Sequence, residues 1–141
     1  MKNVGSTYHI GCSTDDNYVH HASVMICSLL ENNRDNSIVL HLLHDVLSEE
    51  NKDFISGLVR RYGADIVFHK VDVQKLHGVK FRSKRPLSMA AYYSLLLSSV
   101  LEGVDKVLYL DVDTAVLGDV TPLFELEMDD YALAAVKDVV P

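Results

Sequence analysis

Apolar positions along this chain recur at two spacings in turn, every second residue and then every third or fourth, and that alternation predicts strands alternating with helices. Tyr8 to Cys12 reads as a first strand, closed by the polar turn Ser13-Thr14-Asp15-Asp16-Asn17. Ala22, Met25, Ile26, Leu29 and Leu30 then fall at helical spacing between Tyr18 and Asn32, and the polar run to Asn36 is a stop. Ile38 to His44 is nearly all apolar, the pattern of a strand covered on both faces and therefore central in its sheet. Ser48-Glu49-Glu50-Asn51 opens a second helix with acids in its first turn; Phe54, Ile55, Leu58, Val59 and Tyr62 are its expected buried face, and Gly63 its end. Asp65 to Val71 is a third strand, and Gln74 to Lys84 an irregular connection. Pro86 precedes a third helix whose Leu87, Ala91, Leu95 and Leu96 are spaced to face the sheet. Lys106 to Leu110 predicts a fourth strand and Tyr131 to Val136 a fifth. The whole pattern implies an α/β fold with a doubly wound, mostly parallel sheet.

Length and composition narrow the function. The 141 residues are one domain's worth of chain, so residues 1–141 are read as a single domain. With 48% apolar and 23% charged residues it belongs among folded globular chains. A net charge of −7 argues against nucleic acid as a partner and requires any phosphate-rich ligand to be met by a cation or by local donors. The basic cluster Lys80, Arg82, Lys84 and Arg85 reads as a solvated loop. Cys12 and Cys27 are too few and too far apart for a disulfide framework or a cysteine zinc site, which fits a reducing cytoplasm. The start of the chain lacks a signal peptide's apolar core, and no apolar run is long enough for a transmembrane segment.

The candidate chemistry is concentrated where the fourth strand ends. Val107, Leu108, Tyr109 and Leu110 run directly into Asp111 and Asp113, so a buried strand delivers two carboxylates to its carboxyl end. Paired carboxylate oxygens suit Mg²⁺ or Mn²⁺, ions usually completed by substrate phosphates, although aspartates also simply end strands and open turns. The turn after the first strand belongs at the same edge of such a sheet. There Asp15 and Asn17 suit a base edge or ribose hydroxyl, and Tyr18 can stack on a ring; the alternative is that Asp15, Asp16 or Asn17 caps the following helix. The chain has no glycine-rich phosphate cradle. Its seven histidines form no convincing metal set by spacing and are read as core or surface residues.

Taken together these segments resemble the retaining glycosyltransferases of family 8, which include lipopolysaccharide galactosyl- and glucosyltransferases and the glycogenins. The residues that carry the resemblance are Cys12 to Tyr18, Ser48 to Asn51, Met89 to Tyr93, Lys106 to Asp113 and Leu117 to Phe124. The resemblance implies a nucleotide-diphospho-sugar transferase fold of the GT-A, Rossmann-like kind, with Asp111 and Asp113 holding Mn²⁺ (or Mg²⁺) on the diphosphate of a UDP-sugar. It further implies Asp111 and Val112 beside the nucleotide, Asp15, Asn17 and Tyr18 on the uridine with Ser13 adjacent, Tyr92 and Ser94 on a helix facing the nucleotide, and Asp138 close to the transferred sugar as a catalytic residue. The donor is then UDP-glucose or UDP-galactose, and the acceptor a glycan or lipopolysaccharide.

Two departures qualify that expectation. Family members carry an arginine where Ser94 stands, and serine lacks both its charge and its fork of donors. They are also about twice as long, so the chain is expected to be the donor-binding, N-terminal portion of a longer cytoplasmic enzyme, membrane-peripheral only through residues outside it. Two other classes stay open on sequence. One is a non-catalytic UDP-sugar-binding module. The other is a haloacid-dehalogenase-type phosphatase, whose Asp-x-Asp signature belongs on the first strand and not, as here, on the fourth.

Overall fold

The computed structural model describes residues 6–76 and 89–137. Its sheet has four parallel strands, β1 (Thr7–Ser13), β2 (Ser37–His44), β3 (Asp65–Lys70) and β4 (Val107–Tyr109), in the order β3-β2-β1-β4. After β1 the chain builds outward through β2 to β3, and then returns to lay β4 on the other side of β1. The order therefore reverses between β1 and β4, and a crevice at the carboxyl ends of those two strands is where a doubly wound sheet binds its ligands.

Helices α1 (Val19–Glu31) and α2 (Glu49–Arg61) cover one face. Met25, Ile26 and Leu29 of α1 and Ile55 and Val59 of α2 are fully buried there with Ile10, Cys12, Leu40 and Leu42 of β1 and β2. Burial in this apolar layer pushes the Cys12 thiol up to about 12, so it behaves as a small hydrophobe. The other face is covered by a 3₁₀ segment, Met89–Leu96, and the single turn α3 (Leu97–Val100); their Tyr93, Leu96 and Leu97 pack on Leu43. Because β2 has neighbours on both sides and layers on both faces, its apolar run is central as the pattern predicts.

Three expectations are corrected. Phe54 is 51% exposed and Leu58 and Tyr62 only half-buried, because α2 is anchored through Ile55 and Val59 and turns Phe54 outward. The segment before β4 winds mainly as a 3₁₀ helix, whose three-residue repeat aligns Tyr93 with Leu96 and leaves Leu95 60% exposed; Leu87 and the side chain of Ala91 lie outside the described residues. Tyr131 to Val136 is not a strand. A strand needs a partner for its amides and carbonyls, and no strand among the described residues pairs with this run, whose Val136 is 97% exposed.

Three histidines that spacing alone left unconnected form a chain across the second face. His9 Nδ1 lies 2.9 Å from His41 Nε2, and His41 Nδ1 lies 3.0 Å from His69 Nε2. The register accounts for it: Gly11 opposes His41 and Leu43 opposes His69, so each histidine meets the next along a diagonal across adjacent strands. Each contact needs one N–H and one lone pair, which neutral rings pointing the same way supply. A first added proton can sit on a terminal ring. A second must enter a contact and set two N–H groups against each other.

Burial, reinforced by the neighbouring imidazoles, accordingly holds His41 down at about 4, and burial also lowers His69. His44, at the end of β2, is lowered by burial and by Lys52 and Lys70. In the unfolded chain a histidine takes up its proton near pH 6.5; in the folded chain His41 resists until close to pH 4, and His69 and His44 are held below their ordinary range. Stability is therefore full above about pH 6.5 and is lost as pH falls from there towards 4. With solvent reaching part of this face, the loss is on the order of 1 to 2 kcal/mol, read as a falling Tm between pH 7 and 4.5. His41→Gln should flatten that slope, and a Tm independent of pH across this window in the parent protein contradicts the account.

Candidate functional site

Two loops leave the carboxyl ends of the neighbouring strands β1 and β4, and each is tied down by side chains that also make it a loop. In the first, the Asp15 carboxylate accepts hydrogen bonds from the amides of Asn17 (2.9 Å) and Tyr18 (3.1 Å), closing the turn just ahead of α1. Helix α1 itself starts without a side-chain cap. Its neighbour Asp16 reaches the other way: its carboxylate accepts from the Ser48 amide (2.9 Å), the Ser48 hydroxyl (3.1 Å) and the Asn51 side-chain amide (2.7 Å). Those donors, the Asn51 amide first, hold Asp16 below the usual carboxylate range. Asp16 thus joins the turn to the start of α2, while Asn17 and the half-exposed Tyr18 stay on the surface.

The second loop leaves β4 at Tyr109. The last amide bond between the strands runs from Leu110 N to Gly11 O at 2.9 Å. Beyond it, Ser13 Oγ and Tyr109 OH lie 2.6 Å apart. Burial, with the charge of Asp111 adding to it, pushes the Tyr109 phenol up to about 12, so it is neutral at ordinary pH. Asp111 turns the chain, its carbonyl accepting from the Thr114 amide (3.3 Å) and hydroxyl (2.6 Å). Val112 packs its side chain into the core on the α1 side. Asp111 and Asp113, one residue to either side of it, are exposed.

Downstream, the end of α1 clamps the chain again. Val116 N donates to Ser28 Oγ (2.9 Å) and Asn32 donates to Val116 O (3.0 Å). Asn33, only 4% exposed, accepts from Val120 N (3.0 Å) and donates to Leu29 O (2.8 Å) and Gly118 O (3.2 Å). The aspartate loop is therefore held from both sides.

The candidate residues fall into distinct places. Ser13 is brought to Tyr109, at the stem of the Asp111 loop. Asp15, Asn17 and Tyr18 share the facing turn. Tyr92 and Ser94 are half-buried on the 3₁₀ segment over the second face, but the tyrosine that turns inward is Tyr93. Its phenol is raised by burial and then by the charges of Asp45 and Asp15, so it sits beside the first loop. Val112 is partly buried, its side chain packed against the core. Asp138 lies outside the described residues, as do Lys80, Arg82, Lys84 and Arg85. Spacing passed over Tyr93, Tyr109 and Asn33. The signal for Tyr109 was available, because strand alternation sets it on the same face as Val107, opposite Gly11.

Among the described residues no group of three or more His, Cys, Asp or Glu side chains could hold a metal unaided. Two exposed aspartates still fit Mg²⁺ or Mn²⁺, which keep waters and take substrate phosphates as their remaining ligands. No helix among the described residues is long and apolar enough to cross a membrane.

A four-stranded parallel sheet whose order reverses between β1 and β4, with an Asp-x-Asp loop and a polar βα turn at that edge, defines an open α/β protein with its candidate site at the topological switch point. Residues 9–140 match the pattern of Glycosyl transferase family 8, and the chain belongs to that family. It is 32% identical over 134 residues to a lipopolysaccharide 1,2-glucosyltransferase of Escherichia coli, covering 94% of this chain and 39% of that one. General stress protein A of Bacillus subtilis is 30% identical, with 92% and 46% covered. Lipopolysaccharide 1,3-galactosyltransferase of Salmonella typhimurium is 26% identical, with 92% and 38% covered. The galactosyltransferase LgtC, solved in complex with donor and acceptor sugar analogs, superposes with a TM-score of 0.77 at 30% identity, over 86% of this chain and 44% of LgtC. The chain thus spans about two fifths of the length of these relatives, and GT-A-type glycosyltransferases share its fold. Family membership removes the phosphatase alternative.

Asn33→Ala should be the costly substitution here, because it strands the buried Val120 amide and frees two carbonyls. The expected loss is about 2 to 4 kcal/mol, read as a Tm lower by roughly 5 to 15 °C. A Tm within about 2 °C of the parent, by the same order of estimate, would show that the clamp carries no weight.

Proposed function

We propose that this chain is the donor-binding part of a retaining, metal-dependent hexosyltransferase that uses a UDP-sugar. The observation that supports this reading is the parallel pairing of β4 with β1, which brings the loop of the exposed Asp111 and Asp113 and the Asp15–Tyr18 turn out at the same edge of the sheet. Asp15 and Asn17 offer short hydrogen-bonding groups to uracil or ribose, and Tyr18, 46% exposed, offers a ring face for stacking. Asp111 and Asp113 would hold Mn²⁺ or Mg²⁺ against the diphosphate. When bound there, the cation neutralises the negative charge that grows on the β-phosphate as the sugar leaves.

In that reaction the bond from anomeric carbon to phosphate oxygen breaks and a bond to an acceptor oxygen forms on the same face of the sugar. The acceptor's hydroxyl proton passes to the departing β-phosphate or to water, and UDP leaves. The chain's own part is to bind and orient the donor, with Asp138 proposed beside the sugar. The glucosyl and galactosyl relatives support UDP-glucose or UDP-galactose as the proposed donor, with a lipopolysaccharide or other glycan as the proposed acceptor, in the cytoplasm. Ser94, in place of the family's arginine, favours one alternative: a module that binds UDP-sugar without transferring it.

Without a cation, two adjacent carboxylates repel an incoming diphosphate, so UDP should bind poorly; with Mn²⁺ each ligand should strengthen the other. At concentrations about a hundredfold above the dissociation constants, the pair should add roughly 2.7 kcal/mol of stability, a Tm rise of several degrees. Asp113→Ala should abolish most of that rise and leave the metal-free Tm nearly unchanged, because its side chain is exposed. An equal UDP shift in EDTA and in Mn²⁺ is incompatible with this reading. Release of UDP from UDP-glucose or UDP-galactose in the presence of an acceptor separates transferase from binding module.

A further inference from the structure

The β1–β4 ladder is short, and a side-chain contact continues it. Its pairs are His9 with Val107, Ile10 with Leu108 and Gly11 with Tyr109, after which the Leu110 amide bonds to Gly11. From there the two chains separate. Thr14 turns towards β2, its amide bonding to Leu43 O at 3.1 Å, while Asp111 enters its own loop. The Tyr109 ring lies across Gly11: a Cβ at Gly11 would sit 3.5 Å from Tyr109 Cδ2 and 3.1 Å from Leu97 Cδ2. Over that bare position the tyrosine reaches diagonally to Ser13, hydroxyl to hydroxyl at 2.6 Å.

Ser13 is two residues before Asp15, and Tyr109 two residues before Asp111. The contact therefore ties together the stems of the two loops at the point where backbone pairing has ended. We propose that Tyr109, acting through Ser13, is a positioning residue that sets the distance between the nucleotide turn and the aspartate loop, so that a nucleotide held by one presents its diphosphate to a cation held by the other. This rests on the donor-binding reading above. Tyr109 touches neither ligand in this scheme.

The readout is the coupling between cation and nucleotide, the ratio of UDP affinities measured by calorimetry in Mn²⁺ and in EDTA. Tyr109→Phe keeps the ring over Gly11 and removes only the hydroxyl, so the metal-free Tm should move little while the coupling ratio falls about three- to tenfold. Ser13→Ala should lower the ratio similarly, Ser13→Thr should retain it, and the double variant Tyr109→Phe/Ser13→Ala should lose no more than either single one. A merely structural role would lower Tm and leave the ratio intact. Full coupling in Tyr109→Phe, or losses that multiply in the double variant, overturns the positioning role and leaves the donor-binding reading standing. A parent protein whose UDP affinity is the same in Mn²⁺ and in EDTA overturns both.

Discussion

Three residue pairs and one further amide bond hold β4 beside β1, and the arrangement of the crevice depends on that narrow attachment. A ladder hydrogen bond contributes on the order of 1 kcal/mol net, so a strand this short cannot by itself fix the loop beyond it. The chain solves this by clamping both sides of the loop. Upstream, Tyr109 crosses Gly11 to Ser13; downstream, Ser28, Asn32 and Asn33 at the end of α1 take hold of residues 116 to 120. Helix α1 begins at the Asp15–Tyr18 turn and ends at this clamp, so one rigid element spans the distance between the start of one loop and the exit of the other.

Strand alternation alone makes much of this legible. The runs at Tyr8, Ile38, Asp65 and Lys106 each became a parallel strand, because continuous apolar segments bounded by polar turns leave little choice but a sheet covered on both faces. What spacing missed was of another kind. Asn33 looked like one more polar residue in a helix stop, and only the return of a distant segment makes it a buried junction. The histidine chain depends on register: His9, His41 and His69 belong to three strands, and nothing local to any one of them says that diagonals will align. Leu95 was misplaced because a period of 3.6 was assumed where the backbone follows one of about 3.0. The fifth strand failed for a reason outside the segment itself, the absence of a pairing edge among the described residues.

The aspartates give the same lesson with a chemical consequence, since their neighbours distinguish them where their sequence positions do not. Asp16, Asp72 and Asp119 all follow or flank strand ends and loops, and each spends its carboxylate on backbone amides: Ser48 for the first, Gln74 for the second, Thr121 for the third. Asp15 does likewise with Asn17 and Tyr18 through a single oxygen, which leaves its second oxygen for another donor. Asp111 differs in kind. Its carbonyl, not its carboxylate, holds the turn through Thr114, so the loop is built without using the side chain. Asp113 needs no capping role because Asp111 and Thr114 already close that turn, and Val112 between them is drawn into the core, which directs both acids outward. Two charges kept free of structural duty and set side by side on a chain of net charge −7 repel one another and any diphosphate. That arrangement becomes favourable once a cation is shared between them and the phosphate oxygens, which is the electrostatic basis for reading this edge of the sheet as a metal-assisted donor site.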